Sequence, residues 1–253
     1  MLTVAHGSTW PNRLLASLGE EDQRDLLSHL EPVVLEYKRP LYDAYQRIEF
    51  VHFLESGVAS LVNTMADGLA AEVGTVGNEG IVGLPILLGD DLAPSSMYMQ
   101  VPGRGVRMRA AIFREKMEHS APLRAIMLRY AHAFFNQVAQ SAACAHFHSL
   151  EQRCCRWLLM TRDRMPSDEF QLTQEFLAMM LGVRRPGVTL AAGALRRAKL
   201  IRYRRGVVTI LDRRGLEDTA CECYAVAKAE FDRLLGPAIP APAHRGAKHL
   251  AHG

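Results

Sequence analysis

The run LTQEFLAMMLGVRRPGVTLAAGALRRAKLIRYRRGVVTIL, residues 172–211, constrains this chain more than any other part of it. Its apolar spacing predicts two short helices joined by a tight turn, then a strand, a turn and a strand. Thr173 is placed to cap the first helix, because its hydroxyl can accept from a free backbone N–H at the helix start. That helix is predicted over Gln174 to Leu181, with Phe176, Leu177, Met180 and Leu181 on its buried face and the small Ala178 allowing a neighbour to come close. Gly182 supplies the backbone freedom for a sharp turn, and Val183 fills the space under it. The second helix is predicted to start near Arg185, with Pro186 in its first turn, where a missing N–H costs nothing. Val188 is its apolar anchor, and Ala191 stands where a larger aliphatic would pack more fully.

This pattern is that of a helix-turn-helix, which lays one helix across the DNA backbone and a second in the major groove. The exposed start of the second helix carries Arg184, Arg185 and Thr189. Arginine can donate two parallel hydrogen bonds to guanine, and a threonine methyl can touch thymine. Arg196, Arg197 and Lys199 follow at its end and are suited to phosphates, which position a domain without reading sequence. The segment LIRYRRGVVTIL then forms a wing, with Arg205-Gly206 in its turn and Arg202, Arg204 and Arg205 toward the backbone. The expected DNA-binding set is Thr173, Arg184, Arg185, Thr189, Arg196, Arg197, Arg204 and Arg205.

Charge supports this division. Residues 149–215 hold 14 Lys/Arg against 6 Asp/Glu, whereas the remainder holds 16 against 21. A basic unit joined to an acidic one fits a nucleic-acid binder with a separate sensing part. The chain has 253 residues, enough for two domains. No run approaches the roughly 18 apolar residues of a membrane span, and the start MLTVAHGSTWPNRLL lacks the features of a signal peptide. A cytoplasmic location is therefore expected. The five cysteines, Cys144, Cys154, Cys155, Cys221 and Cys223, suggest no disulfide framework. Walker A, H-E-x-x-H, G-x-S-x-G and C-x-x-C patterns are absent, so an enzyme is not expected. No metal ligands or cofactor are expected either. The adjacent Cys154 and Cys155 would point about 100° apart on a helix and are read as buried apolar residues. Cys221-x-Cys223 is one residue short of the usual thiol motif.

Upstream, residues 12–31 read as short helices. Residues 33–109 alternate short apolar runs with turn residues, which predicts a β-sandwich or barrel. Residues 122–164 read as helix, with Leu123, Met127, Tyr130, Phe134, Gln137, Ser141 and Cys144 spaced as a heptad seam. Spacing alone leaves open whether that seam faces the chain's own core or a second copy. Leu150 to Met165 is a second helix ended by Pro166, and 216–235 a further amphipathic helix. The tail 236–253, rich in Pro, Ala, Gly and His, is expected to be disordered.

Taken together, residues 14–212 resemble the CRP/FNR family of bacterial transcription regulators. FLESGVASLVN is similar to the family's strand–glycine–strand element, GTVGNEGIVGLPILLGDDLAPSSMYMQV to its phosphate-binding segment, and HSLEQRCCRWLLM to the helix entering the DNA-binding domain. LTQEFLAMMLGVRRPGVTLAAGALRRAKLI resembles its DNA-binding signature. The resemblance implies an α+β chain: a cyclic-nucleotide-binding-type β-roll over 12–120, a dimerisation helix over 121–147, and a winged helix-turn-helix over 148–215. It implies a homodimer through residues 122–147, a near-palindromic double-stranded DNA site, RNA polymerase as a partner, and no membrane.

Three departures qualify this. Cyclic-AMP binders in the family place a glutamate on the ribose and an arginine on the phosphate. Here Gly80-Ile81-Val82-Gly83-Leu84 puts an apolar residue at the first place, and Pro94-Ser95-Ser96 offers no arginine at the second. No cysteine precedes Cys144, against the family's N-terminal iron–sulfur chemistry. His52 lies in the β-roll region, but a lone histidine there is read as structural, not as a haem ligand. At the DNA site, Arg185 keeps the guanine-reading position, whereas Pro186 replaces a glutamate, so the operator should differ from the cyclic-AMP regulator's.

Overall fold

The computed structural model describes residues 10–236, which open with two short helices, α1 (Arg13–Ala16) and α2 (Glu20–Leu27). Asn12 caps α1, and its buried amide donates to the Leu54 and Gly80 carbonyls at 2.9 and 2.8 Å, tying the start of α1 to β3 and to the β4–β5 connection. There follow β1 (Glu31–Leu35), β2 (Pro40–Tyr42), β3 (Phe50–Thr64), β4 (Ala70–Val76), β5 (Ile81–Val82), the short α3 (Leu84–Leu87) and β6 (Ser96–Arg109). β6 pairs antiparallel with β1 and β3, and β3 with β4. β2 and β5 attach to β6 and β3. Register shifts between Leu54 and Ala59 bend the two long strands, so that one sheet curls round a core. This is the expected β-roll. A helix not foreseen from sequence, α4 (Ala110–His119), follows directly from β6.

The long helix α5 (Ala121–Phe147) is capped by Ser120 and lies along the β-roll. The seam read from sequence faces the chain itself, its first residues meeting the β-roll core and Cys144 a separate cluster with Cys221 and Cys223. Tyr130 donates to the Ile81 carbonyl at 3.1 Å, Phe134 lies over Gly74, and Gln137 accepts from Thr75 N at 2.8 Å while donating to its carbonyl at 3.2 Å. A second stripe at the same spacing, Ala121, Ala125, Leu128, His132, Phe135, Ala139, Ala142 and His146, is exposed throughout.

Ser149 and Gln152 form a capping box at the start of α6 (Leu150–Arg162), which ends three residues earlier than expected. Next come β7 (Glu169–Gln171), α7 (Gln174–Met180), α8 (Arg185–Arg197), β8 (Ile201–Arg204) and β9 (Val207–Ile210). The expected two-stranded wing is a three-stranded sheet, because β7 adds to β9. The single helix expected over 216–235 is two, α9 (Arg213–Thr219) and α10 (Cys223–Leu235). Its break holds the buried Cys221, and α10 packs along α5, with Phe231 6.5 Å from the Tyr130 ring. The tail expected to be disordered lies, beyond Gly236, outside the described residues. Among the described residues no helix is long and apolar enough to cross a membrane.

Candidate nucleic-acid interface

The helix-turn-helix forms as its residues dictate. Thr173 Oγ1 accepts from Phe176 N at 3.1 Å and starts α7. Gly182 then adopts φ +61°, the left-handed backbone that a side chain disfavours, and turns the chain into α8. Pro186 sits in the first turn of α8. Val188, Ala191, Ala192 and Leu195 are buried, and Val188 and Leu195 share a core with Phe176, Leu177 and Leu181 of the α7 segment and with Trp157 and Leu158 of α6. Ala191 is buried despite its small size.

That packing leaves the opposite face of α8 free. Arg184, Arg185, Pro186 and Thr189 are exposed at its start, and Arg196, Arg197 and Lys199 at its end. The Thr189 hydroxyl is occupied, donating within reach of Gln174 Oε1 at 2.9 Å and the Arg185 carbonyl at 3.1 Å, so it is the methyl that remains for a partner. Leu190 stands between these polar residues with 75% of its surface exposed. Sequence reading passed over it, although an apolar residue on the solvent face of a basic helix is a visible signal. An exposed leucine there suits a thymine methyl.

In the wing, Arg205 and Gly206 both have positive φ and close the β8–β9 turn. Arg204 and Arg205 are exposed. Arg202 instead reaches back over the sheet to Thr209 at 3.3 Å and Glu169 at 3.9 Å, which partly neutralises it. Thr173 lies beside this turn, its methyl 3.7 Å from where a side chain on Gly206 would begin. The eight expected residues thus occupy α8, the wing turn and the start of α7 between them.

This unit is joined to the β-roll by specific contacts. Phe176 packs against the Tyr37 and Tyr98 rings at 5.9 and 6.3 Å. Arg164, just past α6, forms a buried ion pair with Glu79 at 2.7 Å. Its stem runs so close to Gly77 that a Cβ there would lie 2.3 Å from Arg164 Cδ. Burial would raise the Glu79 carboxyl, but the Arg164 guanidinium more than offsets this and holds it below the usual carboxylate range. Glu72 shows the reverse. Burial pushes it up to about 7, although Ser60 donates to it at 2.6 Å and Trp157 at 3.0 Å. Beside Glu72 lies a cleft of about 380 Å³, lined in part by Thr75, Gln137, Arg153, Arg156 and Trp157.

His52 is buried on β3, and burial, with Arg107 and Arg39 near it, pushes its pKa down to about 4. Cys154 and Cys155 are buried in the apolar core, as read from sequence. The other three cysteines are not scattered. Cys144, Cys221 and Cys223 converge with His148, so that their four potential ligand atoms all lie within 4.8 Å of one another. No metal ligands are expected from the sequence, and this grouping is not visible in it. Spacing missed it because the residues come from two segments that meet only when α10 packs on α5.

Residues 152–219 match the Crp-like helix-turn-helix domain family. No curated protein sequence matches the chain. Among solved structures, it is similar to FixK2 from Bradyrhizobium japonicum, at 11% identity and a TM-score of 0.65 over 76% of this chain and 98% of that one. A CRP-family transcriptional regulator from Thermus thermophilus is 19% identical, with a TM-score of 0.59 over 74% and 96%. The c-di-GMP responsive global regulator CLP from Xanthomonas campestris is 14% identical, with a TM-score of 0.57 over 76% and 99%.

Proposed function

We propose that this chain is a transcription regulator of the CRP/FNR kind, with a Crp-like helix-turn-helix domain on a similar fold, and that it reads a near-palindromic DNA site as a homodimer. The observation that carries the reading is the free face of α8. Arg184, Arg185, Thr189 and Leu190 stand exposed at its N-terminal half while the opposite side is locked to α6 and α7. Arg185 reads a guanine edge, Thr189 and Leu190 offer apolar contact to thymine methyls, and Thr173, Arg196, Arg197, Arg204 and Arg205 meet phosphates.

The exposed stripe of α5 supports the dimer. Leu128 and Phe135 supply apolar bulk, and Ala125, Ala139 and Ala142 allow two helices to approach closely. Pairing along this stripe places two copies of α8 in successive major grooves, about 34 Å apart. RNA polymerase is the partner through which occupancy becomes output, in the cytoplasm.

The β-roll acts without cyclic AMP in this reading. The Gly80-Ile81-Val82-Gly83-Leu84 stretch has an apolar residue where a ribose-binding glutamate would be, and the Pro94-Ser95-Ser96 stretch brings no cation. A second reading, a small-molecule module with secondary DNA contacts, is favoured by the cleft beside Glu72, Arg153 and Arg156. Binding-site selection with the purified full chain, with and without cyclic AMP, separates the two. The first reading expects a two-fold symmetric site, affinity that falls steeply with salt, and no change on adding the nucleotide. Absence of salt-dependent affinity for every selected duplex would overturn it.

A further inference from the structure

We infer that Cys144, His148, Cys221 and Cys223 form a binding site for one divalent zinc ion, placed at the hinge between the long helix and the DNA-binding unit. The four residues come from two places. Cys144 lies in the last turn of α5, and His148 is the residue just past it, its N–H donating to the Cys144 carbonyl at 3.2 Å. Cys221 lies in the break between α9 and α10 and Cys223 is the first residue of α10, and the fold brings both thiols into the same cluster.

Two of the ligand–ligand distances are close to those around a single tetrahedral ion, and all lie within 4.8 Å. Cys144 Sγ and Cys221 Sγ are 3.5 Å apart, and Cys223 Sγ is 3.4 Å from His148 Nδ1. Zinc–sulfur and zinc–nitrogen bonds of about 2.3 and 2.0 Å give tetrahedral edges of roughly 3.5–3.8 Å. An iron–sulfur cluster places several atoms between its ligands and needs a wider set. A disulfide between Cys144 and Cys221 would use two of the four groups and leave the juxtaposed Cys223 and His148 without a purpose. The three thiols are buried and form a small cluster of their own, apart from both main cores.

The surroundings are those of a metal site too. His148 offers Nδ1 to the cluster, and its Nε2 lies 3.2 Å from Glu222 Oε2, the carboxylate–histidine arrangement that orients a metal-bound imidazole. The Gln140 amide donates to Cys223 Sγ at 3.0 Å, which stabilises a thiolate. Arg156 donates to Ser141, one turn before Cys144, and brings a positive charge beside the anionic site. On binding, three thiols lose their protons to solvent and four protein–zinc bonds form, with no change in oxidation state. His148 is itself the extended residue between α5 and the Ser149 cap of α6. Its coordination therefore fixes the hinge and ties α10 to it.

The test uses the full chain, reduced and stripped of metal. Titration with Co²⁺ should give one equivalent per chain, with the thiolate charge-transfer band and intense visible bands of a tetrahedral site, and Zn²⁺ should displace it. Cys221→Ser should abolish these bands, Cys154→Ala should keep them, and Glu222→Gln should weaken Zn²⁺ binding by about tenfold. No stoichiometric uptake by the unmodified chain overturns the inference whatever the variants do. So does uptake that survives the Cys221→Ser, Cys223→Ser double substitution. The result is independent of the DNA-binding reading.

Discussion

Replacing Phe135 by alanine should weaken self-association by about a thousandfold while leaving each chain folded. Phe135 lies mid-way along the exposed stripe of α5, with 67% of its surface open in the single chain. Burying a whole phenylalanine side chain is worth up to about 3 kcal/mol, so covering two-thirds of one contributes ~2 kcal/mol. A two-fold dimer covers two, about 4 kcal/mol, and each 1.4 kcal/mol is a factor of ten. Because the ring faces solvent, removing it opens no cavity, and alanine is a better helix former. Sedimentation equilibrium over a wide concentration range reads the dissociation constant directly. Leu69→Ala serves as the control, since Leu69 is equally open, at 69%, but lies in the β3–β4 turn away from α5. A dissociation constant unchanged within about threefold in Phe135→Ala would refute the assignment of this stripe to the interface. An equal loss in Leu69→Ala would refute the argument that position on the stripe matters.

Three other outcomes follow from named contacts. Arg185→Ala should cost about 1–3 kcal/mol on the selected duplex and little on random DNA, whereas Arg204→Ala should weaken both alike and lower the salt slope by about 1; competition binding at several salt concentrations distinguishes them. Arg164→Met should destabilise the chain by about 3–5 kcal/mol in denaturant unfolding at neutral pH, because it strands the buried Glu79 carboxylate. The Glu79 carboxyl is depressed in the folded chain, so its contribution is present above its unfolded value and lost as pH falls through the folded one. In acid, therefore, the variant and the unmodified chain should converge, and a constant difference across pH would contradict the pairing. Glu72 is raised from 4.5 to about 7, so the folded chain should lose stability as pH rises through that window and level off above it. Glu72→Gln should flatten this part of the melting-temperature profile, and an unchanged slope would assign it elsewhere.

The local chemistry of the DNA-binding unit was legible in the sequence because its signals are short-range. The Thr173 cap, the Gly182 turn and the Pro186 start each act over a few residues, and each appears in the structure where its chemistry requires it. The wing turn was readable for the same reason. β7 was not, because a three-residue strand has no periodicity of its own and exists only by pairing with β9. α4 was hidden by its direct continuation from β6, and the break before α10 by apolar spacing that runs through it.

The long helix marks the boundary most clearly. By itself the sequence determined that residues near 122–147 form a helix with residues repeating every three and four, since backbone geometry imposes that spacing on any helix that buries a face. It did not determine which partner each face meets. Leu123, Met127, Tyr130 and Phe134 carry the stronger apolar signal, and tertiary packing spends them on the chain's own β-roll. The weaker stripe through Leu128 and Phe135 is left to solvent. The same holds for the cysteines: Cys144 and Cys221 are 77 positions apart, and they approach to 3.5 Å only because α10 lies back along α5. Spacing along a chain fixes what neighbours in sequence can do, whereas contacts between distant segments follow from which surfaces bury one another, and those were decided only by the fold.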